Sequence, residues 1–134
     1  MPQRVLIVDD DHDIVAGVGI RLRAAGYTTL VAYDGEQGVA AAIRYEPDVI
    51  LLDVRMPTMD GIVALGKLKE HPRTRDIPVV ILSASVTDHQ TALDAGALFF
   101  IQKPYSPGNL LDVLKSAIDG EQRGAKSPEP VPSN

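Results

Sequence analysis

Two hydrophobic patterns alternate along this chain. Val5-Leu6-Ile7-Val8 is a short, continuous apolar run bounded by charge, and Val49-Ile50-Leu51-Leu52, Val79-Val80-Ile81-Leu82 and Leu98-Phe99-Phe100-Ile101 repeat it. Thr28-Thr29-Leu30-Val31-Ala32 is a weaker, more polar member of the set. Runs of this length that are apolar at successive positions predict strands buried on both faces, as in a parallel sheet covered by helices.

Between these runs the spacing becomes helical. Ile14, Val18 and Leu22 recur every fourth residue, and Gly26 follows as a stop. Asp34 with Gln37 three residues later predicts a capped helix start, with Val39, Ala42 and Ile43 inside and Pro47 beyond the end. Ile62, Leu65 and Leu68 mark a third helix, closed by Pro72. A fourth, spanning about Thr87 to Ala95, is polar, with Ala92 and Leu93 as its anchors. Ser106 and Pro107 read as the cap and first residue of a fifth, with Leu110, Leu111, Leu114, Ala117 and Ile118 facing inward.

Strands alternating with helices imply right-handed crossovers and a three-layer α/β sandwich. The chain's 134 residues suit one such domain. The periodicity stops near Gly120, so residues 1–120 are expected to form the domain. Residues 121–134, rich in Pro, Ser and Gly, are expected to be a disordered tail or a linker.

Composition narrows the function. With a formal net charge of −5 and scattered basic residues, the chain is not expected to bind nucleic acid directly. Cysteine is absent, which excludes a disulfide framework, a zinc-thiolate site and thiol catalysis. The first apolar run ends within a few residues at three aspartates. It is therefore neither a signal peptide nor a membrane span, and a cytoplasmic location is expected.

Chemistry is concentrated just past the strand ends. The first strand is followed by Asp9-Asp10-Asp11, the third by Asp53, the fourth by Ser83 and the fifth by Gln102-Lys103-Pro104. In an open α/β sheet the carboxyl ends of the strands share one edge, where ligands bind at the reversal of strand order. Clustered carboxylates repel unless a cation joins them. Oxygen ligands without His or Cys select Mg²⁺ or Mn²⁺. A carboxylate beside such a metal and opposite a lysine is suited to accept a phosphoryl group. Taken singly, these residues have plainer readings. Asp11 alone reads as a helix cap, Phe100 as core, and Gly61 as turn chemistry after Asp60. His12 stands out among the histidines only because it adjoins the acidic run.

Val8-Asp9-Asp10, Leu52-Asp53-Val54-Arg55-Met56-Pro57 with Asp60-Gly61, Ser83-Ala84 and Lys103-Pro104 fall in order along the chain. Together they resemble the receiver domains of two-component response regulators of the chemotaxis-regulator type, over about residues 4 to 120. The resemblance implies a flavodoxin-like, doubly wound five-stranded parallel sheet in the order 2-1-3-4-5 with five helices. It implies that Asp53 is the phosphoacceptor and that Asp10 and Asp53 bind Mg²⁺ directly. Asp9 acts through water, and the backbone carbonyl of Arg55 completes the metal site. Ser83 and Lys103 bind the phosphoryl oxygens, and a cis peptide precedes Pro104. The resemblance further implies a sensor histidine kinase or phosphotransfer protein as donor. The implied response is a change in the face formed by the fourth helix, fifth strand and fifth helix, with Ser83 and Phe100 as switch residues. Phe100 stands where the family often has tyrosine, so no hydroxyl is available there. Arg55 and Ser85 occupy positions where the family varies, and they are expected to tune rates.

Two other functions share parts of this pattern. A Mg²⁺-dependent phosphohydrolase with an aspartyl nucleophile needs a second acid/base aspartate two residues on, where this chain has Arg55. A flavodoxin-like cofactor binder needs a Ser/Thr/Gly-rich phosphate loop where this chain has three aspartates. The chain is thus expected to be a signalling module rather than a turnover enzyme.

Overall fold

The structure is a computed structural model that describes residues 2–56 and 58–122. Its elements alternate throughout. The strands are β1 (Arg4–Val8), β2 (Thr28–Ala32), β3 (Val49–Asp53), β4 (Val79–Ser83) and β5 (Phe99–Gln102). The helices are α1 (His12–Ala24), α2 (Gly35–Tyr45), α3 (Gly61–Glu70), α4 (Asp88–Asp94) and α5 (Pro107–Gln122). All strand pairs are parallel, and the sheet order is β2-β1-β3-β4-β5.

The continuous apolar runs follow from this layering. Successive side chains of a strand point to opposite faces, and here both faces are covered. Leu6, Val8, Ile50, Leu52 and Ile81 pack on one side with Ala42 of α2, Leu65 and Leu68 of α3, and Ala92 of α4. Val5, Ile7, Leu51, Val80 and Leu82 pack on the other with Val18 and Leu22 of α1 and Leu110 and Leu114 of α5. The central strands β3 and β4 are buried at every position.

The expected caps are present. The Asp34 carboxylate accepts from the Gln37 backbone N–H at 2.7 Å, and the Gln37 side chain accepts from the Tyr33 N–H. Ser106 accepts from the Asn109 N–H at 3.1 Å, with Pro107 as the first residue of α5. Gly26 takes φ +99°, a backbone conformation that a Cβ would oppose, and so ends α1.

Four details differ from the sequence expectations. The last strand starts at Phe99, and Leu98 is 47% exposed. β5 is an edge strand, and the α4 beside it is short. Leu93 is 37% exposed, so Ala92 alone anchors α4 to the core. Val15, not Ile14, is the deeply buried residue in the first turns of α1. The expected domain end at Gly120 falls inside α5, which is helical to Gln122; residues 123–134, where the tail is expected, lie outside the described residues. Among the described residues, no helix is long and apolar enough to cross a membrane.

Candidate functional site

Parallel pairing brings the strand ends to one edge. Leu52 and Asp53 of β3 pair with Ile81 and Leu82 of β4, Val8 pairs with Leu52, and Ser83 pairs with Gln102. The ladder continues past the strands. Asp9 N–H donates to Ala32 O, Val54 N–H to Leu82 O and Lys103 N–H to Ser83 O, at 3.1, 3.2 and 2.8 Å. These bonds fix the backbone from which Asp9, Asp53 and Lys103 project. The Lys103–Pro104 peptide is cis, as the resemblance implied.

Asp9, Asp10 and Asp53 each offer a carboxylate oxygen within 4.8 Å of the others. Asp9 and Asp53 are buried, at 2% and 5% exposure, while Asp10 is open to solvent. Lys103 Nζ lies 2.9 Å from Asp53 Oδ1 and 3.5 Å from Asp9 Oδ2. Asp9 Oδ1 accepts from the Asp11 N–H, but its buried Oδ2 has no hydrogen bond. Buried carboxylate oxygens are ordinarily satisfied. This one has only the Lys103 ammonium at 3.5 Å and faces two further carboxylates, which fits a hard divalent cation, and the all-oxygen donor set points the same way.

Burial pushes the Asp53 carboxyl up from its ordinary value. The Lys103 hydrogen bond opposes this, and the charges of Asp9 and Asp10 add to the rise. For Lys103, burial pulls the ammonium down. The Asp53 hydrogen bond and the charges of Asp53 and Asp9 outweigh it, and the net direction is upward.

The remaining sequence candidates separate. Asp11 is not in the cluster; its carboxylate accepts from the Asp13 and Ile14 N–H groups at 3.0 and 3.1 Å and caps α1. The plain reading of that residue holds. Ser83 is 1% exposed, and its hydroxyl donates to Asp88 Oδ2 at 2.6 Å. Arg55 is exposed and reaches the same carboxylate at 3.3 Å. Phe100 is half-buried, packs against the core and stacks on His89 with ring centroids 4.9 Å apart. His12 stacks on Tyr33 at 3.9 Å, outside the acidic cluster.

One residue near the site escaped the sequence reading, and another was read for the wrong reason. Asp88 carried no signal beyond being an acid in a polar segment, yet it holds both Ser83 and Arg55. Gly61 is not explained by turn chemistry, for it is the first residue of α3, with Asp60 as the cap. A Cβ there would lie 2.1 Å from the carbonyl oxygen of Asp53. Glycine is required by the close approach of α3 to the backbone of Asp53.

A sequence model of the response regulator receiver domain matches residues 5–115. The chain belongs to that family. It is 39% identical over 117 residues to the DNA-binding dual master transcriptional regulator RpaA of Synechocystis sp., covering 86% of this chain and 48% of that protein. It is 43% identical over 106 residues to the response regulator PleD of Caulobacter vibrioides, covering 78% of this chain and 23% of that protein. The chain thus spans about half the length, or less, of these curated relatives. Among solved structures, it resembles the receiver domain of the sensor histidine kinase PA1611 from Pseudomonas aeruginosa, which holds a magnesium ion in its active-site cleft. The TM-score is 0.84 at 30% identity, covering 90% of this chain and 100% of that one. The chemotaxis protein CheY4 of Vibrio cholerae matches with a TM-score of 0.82 at 31% identity, over 87% of this chain and 99% of that one. The chain is a receiver domain of two-component signal transduction, a signalling module with a CheY-like fold.

Proposed function

We propose that Asp53 is the phosphoacceptor of this receiver, with Lys103 and Ser83 as its partners on the transferred group. The observation that carries this is the Lys103 ammonium, 2.9 Å from Asp53 in a pocket that also holds Asp9 and Asp10. An Asp53 carboxylate oxygen attacks phosphorus in line. The bond from phosphorus to the donor's imidazole nitrogen breaks, its electron pair leaves with the imidazole, and an acyl phosphate forms on Asp53. Lys103 balances charge on the transferred oxygens, and the Ser83 hydroxyl donates to one of them.

Asp10 and Asp53 would hold Mg²⁺ or Mn²⁺ directly, with Asp9 through water and the carbonyl of Arg55 completing the set. When bound, such a cation would supply charge neutralisation for the carboxylates and the phosphoryl oxygens. The donor is a sensor histidine kinase or a phosphotransfer protein. Phosphorylation changes the α4–β5–α5 face, with Ser83 and Phe100 as switch residues, and so controls an output partner or domain. The chain catalyses its own phosphorylation and slow dephosphorylation, works in the cytoplasm, and contacts neither nucleic acid nor membrane itself. The working unit is the domain expected over residues 1–120, with α5 carried on to Gln122, and the chain beyond it is a tail or linker.

Incubation with acetyl phosphate and Mg²⁺, followed by intact-mass measurement, tests the assignment. Wild type is expected to gain one hydroxylamine-labile phosphate, and Asp53→Asn none. A labile phosphate on the variant would overturn it. Steady-state hydrolysis of phosphate monoesters should be absent, and turnover would favour the phosphohydrolase instead.

A further inference from the structure

The Ser83 hydroxyl has one proton to donate, and Asp88 holds it. The bond from Oγ to Asp88 Oδ2 is 2.6 Å, and Oγ accepts from the Ser85 N–H at 3.1 Å. Buried and engaged in both directions, this hydroxyl cannot donate to a phosphoryl oxygen until Asp88 releases it. Asp88 holds Arg55 as well, at 3.3 Å from each of its oxygens. Asp88 is the first residue of α4, and Thr87 before it makes no capping hydrogen bond. The two contacts of Asp88 therefore tie the start of α4 to the chain that follows β3 and to the end of β4. The next residue, His89, stacks on Phe100.

We propose that Asp88 is a positioning residue that holds Ser83, together with Arg55, in the unphosphorylated arrangement and competes with the phosphoryl group for both. This rests on the reading that Asp53 is the phosphoacceptor. A phosphoryl group brings about −1.5 to −2 of charge and three strong acceptor oxygens. It attracts the Ser83 hydroxyl and the Arg55 guanidinium and repels the Asp88 carboxylate. That carboxylate, largely shielded where it stands, is stranded without its donors and must turn toward water. The first turn of α4 moves with it, and the His89–Phe100 stack carries the displacement to β5. The same competition works in reverse: Asp88 lowers the affinity of the pocket for a phosphoryl group by stabilising the arrangement that excludes it.

The test is a titration with beryllofluoride in Mg²⁺, a phosphoryl mimic, followed by amide and aromatic NMR. The set is wild type, Asp88→Ala, Asp88→Asn, Ser83→Ala, Ser83→Ala/Asp88→Ala and Asp53→Asn. Asp88→Ala is expected to bind the mimic about tenfold more tightly, the effect of removing one charge-assisted contact from the competing state. Asp88→Asn, isosteric and neutral, should fall between, and it carries the test if the alanine variant folds poorly. In the Ser83→Ala background the gain should shrink to about twofold or less, since only the Arg55 contact is left to release. Without the mimic, the Ser85 amide of Asp88→Ala should shift toward its position in mimic-bound wild type, a change that mere loss of stability would not produce. Unchanged or weaker binding by both Asp88 variants would overturn the proposal, as would a gain of full size in the Ser83→Ala background. Mimic binding retained by Asp53→Asn would instead sink the phosphoacceptor reading, and the proposal with it.

Discussion

Replacing Gly61 with alanine is expected to destabilise the domain, although alanine is the better helix former. A Cβ built on Gly61 meets Asp53 O at 2.1 Å, Asp53 C at 2.9 Å and Val54 Cα at 2.9 Å. All three are backbone atoms, so no side-chain rotation relieves the overlap. The start of α3 must move away from the end of β3, which also strains the 2.8 Å hydrogen bond from Gly61 N–H to Val54 O. Overpacking of this kind costs about 1–3 kcal/mol, and more when the neighbour is rigid. Greater helix propensity returns no more than about 1 kcal/mol. A net loss of about 2 kcal/mol follows, or roughly 6–10 °C in Tm for a domain of this size. Gly66 supplies the control. It lies in the same helix with nothing within 4 Å of a built Cβ, so Gly66→Ala should stabilise by up to about 1 kcal/mol. Urea denaturation of the metal-free variants reads both effects, and acetyl phosphate labelling should show Gly61→Ala alone impaired, because the displaced backbone is that of Asp53. A Gly61→Ala midpoint equal to or above that of Gly66→Ala would refute the close-approach argument.

Two further outcomes concern the acidic pocket. Burial and the neighbouring carboxylates push the Asp53 carboxyl up, so in metal-free protein its ¹³C titration midpoint should lie above about 3.9, the value of a free aspartate. A folded value above the unfolded one means that the group's contribution to stability falls as pH rises through that interval, and Mg²⁺ should lower the midpoint; a midpoint at or below the free value would contradict this. Asp10→Ala is expected to weaken Mg²⁺ binding at least about tenfold and, by removing repulsion, to raise the metal-free urea midpoint; calorimetry and denaturation check the two halves separately.

Local pattern was enough to place the sheet and most of the helices. Four-residue apolar runs bounded by charge or turn residues are too short for buried helices and fit strands covered on both faces, and Asp34, Ser106 and Gly26 mark helix ends by chemistry that acts within a few residues. The strand-end positions of Asp9, Asp10, Asp53, Ser83 and Lys103 were legible for the same reason: parallel strands carry their carboxyl ends to one edge whatever the details of packing. Tertiary structure decided what depends on distance across the sheet. Gly61 stood out in sequence beside Asp60, but only the approach of α3 to the backbone of Asp53 shows why it must be glycine while Gly66 need not be. Asp10 and Asp11 also look alike, but one joins the acidic cluster and the other turns back to cap α1. Asp88 was invisible because its importance comes from two partners, one of them Arg55, 33 residues away. Leu93 and Leu98 read as core but are exposed, because a short helix over an edge strand leaves apolar residues without a partner. A side chain's chemistry is written at its own position, whereas the group that receives it is chosen by where the rest of the chain is packed.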